Sequence, residues 1–234
     1  MTHPSPPSPP SREGTRRLAD LRVHYQAGAL QEADLAPDPL GSFLAWFAEA
    51  EDVGIPEPNA MVLATADENG QPSARTVLLK QADARGFAFY TTLGSRKGRE
   101  LQGNPQAAIV FPWIALQRQV CVVGSARLID RAEVDEYFAS RPRESQLGAW
   151  SSRQSEVIED RSVLQQRYQQ VDERFASGAV QVPEFWGGWL LVPQTVEFWQ
   201  GRPSRLHDRL RFRRIDPEAM MDDPTGWVLE RLSP

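Results

Sequence analysis

Residues 60–80 read Ala60-Met61-Val62-Leu63-Ala64-Thr65-Ala66, then Asp67-Glu68-Asn69-Gly70, then Gln71-Pro72-Ser73-Ala74-Arg75-Thr76-Val77-Leu78-Leu79-Lys80. The first run has the length and side-chain texture of a strand. Asn69-Gly70 is the strongest short-range hairpin signal, because both turn positions must tolerate positive φ. Ser73–Lys80 then returns antiparallel. Working outward, the same texture recurs at Phe87–Thr92, Ala107–Trp113, Gln119–Leu128, Gly188–Val192, Thr195–Trp199, Arg205–Arg213 and Gly226–Arg231. Many short strands joined by tight turns predict a mainly β fold, an antiparallel barrel with a few helices packed outside it.

The helices carry their own signals. Asp38-Pro39 supplies a cap and a proline at the first helical position, with Leu40, Phe43, Leu44 and Phe47 as the apolar stripe and Gly54 as the stop. Ser95 caps a short helix containing Arg96 and Lys97. Asp130 caps another that runs through Tyr137 to Ser140, and the longest is expected from about Glu156 to Phe175. Its stripe of Leu164, Tyr168, Val171 and Phe175 reads as core or subunit contact. Upstream, Thr15 is a candidate cap for a helix bearing Leu18, Leu21 and Tyr25, ending at Gly28, with Arg22 and His24 off the stripe. Residues 1–14 hold five prolines within the first ten positions and are expected to form a disordered tail before a single domain, 15–234.

Bulk composition narrows the function. The 234 residues, 41% hydrophobic and 24% charged, suit a soluble globular chain. A net charge of -5 argues against general nucleic-acid binding. One cysteine and three histidines leave no basis for a disulfide framework or a metal cluster. No apolar run reaches a membrane-spanning length and no signal core is visible, so a cytoplasmic protein is expected.

Several clusters pair cations with hydroxyls. Arg75 and Lys80, five residues apart on one expected strand, leave opposite faces. They could serve anions, or one could face water while the other caps the strand. Gly94-Ser95-Arg96-Lys97-Gly98 puts a hydroxyl and two cations at a helix N-terminus, which favours an anion. Tyr137 and Arg141 share a helix face and Ser145 follows, a trio suited either to a phosphate dianion or to a polar helix end. Gln154-Ser155 offers an amide and a hydroxyl. Arg205, His207 and Arg209 alternate, so as a strand they share one face: an anion- and ring-binding face, or a solvated edge. Arg202 is left to solvent. Trp150, Trp186, Trp189 and Trp199 read mainly as packing. No dinucleotide fingerprint, Walker loop or nucleophile elbow is present, which leaves a phosphorylated cofactor whose own ring does the chemistry.

With these motifs in order, the chain resembles the pyridoxine (pyridoxamine) 5′-phosphate oxidase family from about Leu18 to Pro234. The resemblance rests on Arg75–Lys80, Phe89–Lys97, Phe111–Trp113, Arg118–Val120, Ser140–Trp150, Phe185–Gly188 and Glu197–Arg209. It implies an FMN-binding split barrel and a homodimer with FMN at the subunit interface. FMN would be held by Arg75, Thr76, Val77, Leu78, Leu79, Lys80, Tyr90, Thr91, Arg96, Lys97, Gln119, Gln154, Ser155, Trp199 and Arg209. The substrate would meet Lys80, Tyr137, Arg141, Ser145, Arg205, Leu206 and His207, with Arg22 to Tyr25 closing the pocket. Arg205 and His207 would orient the substrate and handle charge or a proton near C4′. The implied reaction is oxidation of pyridoxine or pyridoxamine 5′-phosphate by O2 to pyridoxal 5′-phosphate and H2O2, by hydride transfer from C4′ to flavin N5, with ammonia released from the amine after imine hydrolysis and with no metal. Two departures stand out: Val23 and His24 replace expected charge in the closing segment, and residues 214–225 exceed the family's usual last hairpin and read as a surface loop. A split-barrel FMN reductase, or a non-catalytic FMN or pyridoxal-phosphate carrier, remains as an alternative.

Overall fold

The computed structural model describes Tyr25 and residues 28–234. The expectations for residues 1–14, for the helix beginning at Thr15, and for Arg22 and His24 lie outside them.

The hairpin forms as its residues dictate. Gly70 takes a φ of 81°, and Asp67 Oδ1 accepts from the backbone amides of Asn69 and Gln71 at 2.9 Å each. Strand β1 (Ala60–Ala66) thereby pairs antiparallel with β2 (Pro72–Leu78). The remaining strands are β3 (Gln81–Asp83), β4 (Gly86–Thr92), β5 (Gln106–Trp113), β6 (Arg118–Leu128), β7 (Trp186–Gln200), β8 (Asp208–Arg214) and β9 (Trp227–Arg231). All ladders are antiparallel, in the order β2-β1-β5-β6-β7-β4-β3, with β8 on β7 and β9 on β8.

That order has a geometric consequence. β2 and β3 lie at opposite ends of the path, yet only Leu79 and Lys80 separate them in sequence. A chain that short spans roughly 10 Å at full extension. The sheet must therefore curl until its two edges meet. The crossing is visible in the backbone: Leu79 N donates to Asn59 O beside β1, whereas Lys80 N donates to Ala88 O on β4. Lys80 thus lies beyond β2, and the expectation that it shares a strand with Arg75 is corrected.

The expected break between two late strands is also corrected: β7 is one 15-residue strand. Its first part pairs with β4 and its second with β8, along the same edge. Pro193 sits between those two partners, where the lack of an N–H costs no ladder bond. Opposite it, the register of β6 shifts at Val123/Gly124. A Cβ at Gly124 would stand 2.1 Å from Val192 O, so only glycine fits the bulge.

Helix α1 (Pro39–Asp52) is capped by Asp38, whose Oδ1 accepts from Gly41 N at 2.7 Å. Its buried face is Phe43, Trp46 and Ala50; Leu44, expected on the stripe, is 46% exposed. Phe43 and Trp46 plug the barrel against Phe87, Phe111, Trp113 and Phe198. Helix α2 (Arg96–Gly103) starts at Ser95, whose hydroxyl accepts from Gly98 N, as expected. Helix α3 (Arg131–Ser140) follows Asp130, although that side chain makes no capping bond. Helix α4 (Arg143–Ser151) was not foreseen, and α5 (Arg161–Arg174) begins at Asp160 instead of Glu156. The segments around α3, α4 and α5 enclose a smaller apolar cluster of Val134, Phe138, Leu147, Val180 and Trp186, with Tyr168, Val171 and Phe175 packed against it.

The stretch expected to be a surface loop between β8 and β9 is partly interior. Met221 is fully buried, its N–H donates to Ala84 O at 2.7 Å, and its carbonyl accepts from Leu40 N at 3.2 Å. Among the described residues no helix is long and apolar enough to cross a membrane.

Candidate functional site

Between the end of β2, the end of β4 and the turn of α3 into α4 lies a cavity of about 480 Å³. Thr76, Val77, Leu78, Lys80, Tyr90, Thr91, Lys97, Tyr137, Arg141, Ser145 and Gln154 line it, so about half of the expected site residues converge here. Two cationic centres face it with little to neutralise them.

The first is Lys97, in the first turn of α2. It is 7% exposed, and its Nζ donates to Thr91 Oγ1 at 3.1 Å and Gln154 Oε1 at 3.0 Å, both neutral oxygens. Burial, reinforced by the nearby Arg75 charge, lowers its pKa to about 8. The loop that brings Gln154 is pinned by Ser155, which takes a φ of 74° and accepts from Arg96 N at 3.1 Å. Ser155 therefore caps α2 instead of lining the cavity.

The second is Arg141, just past α3. Its guanidinium lies 4.8 Å from the Trp186 ring centre, and its buried Nη1 has no hydrogen-bond partner among the described residues. Burial pulls its pKa down. An unsatisfied buried guanidinium N–H is costly, and an anion in the cavity would satisfy it. Tyr90, Tyr137 and Trp186 form a stacked wall: Tyr90 and Tyr137 are 4.0 Å apart at 20°, and Tyr90 and Trp186 are 5.5 Å apart at 11°. Burial raises both phenol pKa values, so both hydroxyls remain protonated donors at neutral pH. Among the described residues, neither Lys97 nor Arg141 forms an ion pair with a carboxylate.

Other expected residues sit elsewhere. Arg75 turns toward α2, donating to Ser73, Thr65 and Glu100, the last at 3.2 Å. Glu100 also accepts from Arg96 Nε at 2.8 Å. Its burial alone would raise its pKa, but bonds from Ser73, Thr65, Arg96 and Arg75 prevail and hold it at about 2. Leu79 belongs to the core, 8% exposed.

A second group gathers at the far end of β7. Gln119, Trp199 and Arg209 are direct cross-strand partners and form one row. His207 packs against Trp199 at 4.7 Å with the rings tilted by 45°, and Tyr25 meets Trp199 and His207 edge-on at 6.0 and 5.6 Å. His207 Nδ1 accepts from Arg202 N at 3.0 Å, which leaves the neutral imidazole proton on Nε2. Arg209 is already paired, donating to Glu197 at 2.7 and 3.0 Å. Arg205 and Leu206 are exposed and precede β8, so Arg205, His207 and Arg209 do not share a strand face. Arg202, expected in solvent, lies 3.4 Å from Asp208 in an ion pair. A strand of 15 residues runs roughly 46 Å along its length, with Trp186 at the cavity end and Trp199 next to the other, and none of this second group of side chains lines the cavity.

Trp186, expected as packing, lines the cavity, together with Thr92, with Gly148 and Ala149 of α4, and with Ser152 just past it, none of them expected there. Its signal lay in the Phe-Trp-Gly-Gly run at 185–188. A Cβ at Gly188 would meet the Tyr90 ring at 2.8 Å, so the glycine lets that ring lie flat.

Residues 47–175 match the family model described as pyridoxamine 5′-phosphate oxidase. Residues 186–234 match one described as the pyridoxine 5′-phosphate oxidase C-terminal dimerisation region. A pyridoxine/pyridoxamine 5′-phosphate oxidase of Acidothermus cellulolyticus is 51% identical, covering 94% of this chain and 97% of its own. The Burkholderia mallei enzyme of the same name is 52% identical, covering 93% and 99%. Among solved structures, PhzG from Burkholderia lata, in complex with tetrahydrophenazine-1-carboxylic acid, superposes with a TM-score of 0.79 at 29% identity, covering 89% of this chain and 99% of its own. An FMN-binding protein from Nostoc punctiforme, with a TM-score of 0.64 and 18% identity, covers 84% and 98% and shares the split-barrel fold.

Proposed function

The chain belongs to the pyridoxamine 5′-phosphate oxidase family, and from that premise we propose that it oxidises pyridoxine or pyridoxamine 5′-phosphate to pyridoxal 5′-phosphate. FMN is the proposed cofactor and O2 the proposed oxidant, a reaction of vitamin B6 supply. The observation carrying this reading is one cavity lined by the buried cations Lys97 and Arg141, neither paired with a carboxylate among the described residues, together with Lys80 and the Tyr90–Tyr137–Trp186 stack. Two phosphates, one on the cofactor and one on the substrate, fit that arrangement.

Lys97, Thr91, Gln154 and the β2 end at Thr76–Leu78 would hold FMN. Arg96, Ser155 and Arg75 would support it from α2 and its buried Glu100 partner. Tyr137, Arg141 and Ser145 would hold the substrate phosphate, with Lys80 between the two. When bound, FMN would supply a two-electron acceptor for the hydride lost from substrate C4′, with O2 as final oxidant yielding H2O2 and, for the amine, water releasing ammonia. The protein's part is alignment, worth up to about 7–11 kcal/mol when two reactants are well oriented.

The second group completes the site only from another copy of the chain. A homodimer would bring Gln119, Trp199 and Arg209 to the flavin and Arg205, Leu206 and His207 to the substrate ring of the facing subunit. The match of residues 186–234 to a dimerisation region supports this arrangement. His207 Nε2–H would then donate toward the oxygen or nitrogen on C4′, and Arg205 would stabilise negative charge there.

O2 uptake by FMN-loaded protein, with stoichiometric H2O2, tests the reading. Turnover of pyridoxine or pyridoxamine 5′-phosphate but not of the unphosphorylated compounds is expected. A protein that binds flavin without such turnover would be a carrier or a reductase instead.

A further inference from the structure

We propose that Arg85 is a positioning residue that sets the substrate-phosphate end of the cavity by clamping helix α3 to the β3–β4 turn. The inference rests on the function proposed above. Arg85 reaches across to α3 as a two-pronged fork, with Nη1 to Glu133 Oε1 at 2.8 Å and Nη2 to Glu133 Oε2 at 2.9 Å. The same guanidinium is held from behind by Asp83, at 2.8 Å from Nη2 and 3.1 Å from Nε. Paired forks of this kind fix direction as well as distance.

The clamp acts along one helix face. Glu133, Tyr137 and Arg141 follow at successive intervals of four, so anchoring Glu133 sets where the next two side chains fall. Tyr137 meets Tyr90 of the same β3–β4 hairpin at 4.0 Å, giving a second point of attachment. Arg141 comes one turn later, in the cavity. Two points define the orientation of α3 relative to the hairpin, whereas the Tyr pair alone would allow a pivot. Elsewhere α3 buries only Val134 and Phe138, and Arg131 ties its start to the carbonyls of Val182, Pro183 and Trp186.

The hairpin end of the clamp is itself rigid. Ala84 O accepts from Met221 N at 2.7 Å, and Met221 is fully buried. Gly86, at φ 146°, lies so close to β7 that a Cβ would stand 2.1 Å from Leu191 O. The unusual 214–225 segment thus braces the turn from which Arg85 projects.

Arg85→Ala and Glu133→Gln, assayed as FMN-loaded enzyme, should each raise KM for pyridoxamine 5′-phosphate about tenfold, the effect of a coupling near 1.4 kcal/mol. Values of kcat and flavin content should stay within about twofold, since the proposed FMN contacts Lys97, Thr91, Gln154 and Thr76–Leu78 lie outside α3. Arg85→Lys should recover part of the loss, and the Arg85→Ala/Glu133→Gln pair should be no worse than either single change. Additive losses, or unchanged KM in folded variants, would overturn the clamp while leaving the oxidase reading intact. If the wild type oxidises neither phosphorylated substrate, the oxidase reading fails. The clamp is then judged by inorganic phosphate binding, followed by titration calorimetry, which Arg85→Ala must weaken and Arg85→Lys restore.

Discussion

Lys97 Nζ lies 3.0 Å from Gln154 Oε1, so a buried ammonium is held by a neutral amide oxygen instead of a carboxylate. Burial, reinforced by the nearby Arg75 charge, holds its pKa down at about 8. An anion binding here gains a partner that the folded chain withholds.

The pH dependence follows in sign. Because the folded pKa is below the ordinary lysine value of 10.5, the ligand-free protein is penalised below pH 8 and gains stability as pH rises from 8 toward 10.5. Flavin affinity should move oppositely, falling above pH 8 as the ammonium is lost. Fluorescence titration of FMN between pH 7 and 10, with urea unfolding of the apoprotein over the same range, measures both.

Lys97→Met should abolish retention of FMN without destabilising the apoprotein, because an uncompensated buried charge is replaced by an apolar chain of similar length. Gel filtration with absorbance at the flavin band, and thermal unfolding of the stripped protein, are the readouts. A markedly less stable apoprotein would show that the ammonium supports the fold.

Glu100 behaves in the opposite sense. Its carboxylate is held at about 2, so its contribution is complete above the ordinary value of 4.5 and is lost as pH falls through 2. Glu100→Gln should cost about 3 kcal/mol at pH 7, because the amide removes the negative charge facing Arg75 and Arg96 and turns one of the two acceptor oxygens into a donor. The gap from wild type should close between pH 4.5 and 2 in urea unfolding.

Arg141→Ala should raise KM for the phosphorylated substrates about 100-fold, the scale of one or two lost charge-assisted bonds. The flavin should stay bound. Steady-state kinetics with the absorbance spectrum separates this from loss of the cofactor.

Complementation tests the shared site. Arg141→Ala and His207→Ala subunits should each be poorly active alone. Mixed after reversible dissociation, half the dimers would be hybrids with one intact site of two, restoring roughly a quarter of wild-type activity. No recovery would place both residues in one subunit's site.

Local chemistry determined much of this protein from sequence. Asn69-Gly70, Asp38-Pro39 and Ser95 formed the turn and two helix starts, because each rests on bonds within about four residues. The motifs that converge on the cavity were legible for the same reason. Tertiary structure decided what depended on distant partners. Whether Pro193 breaks a strand depended on β4 and β8 sharing one edge of β7, which is a matter of register across the sheet. Arg75 turned to Glu100 instead of the cavity, and Met221 entered the core from a stretch that reads as polar loop, because burial is settled by what packs opposite. The start of β8 at Asp208 placed Arg205 and His207 off the strand. The separation of Trp186 from Trp199 came from the length of β7, which carries one set of side chains to the cavity and the other to the opposite end of the same strand.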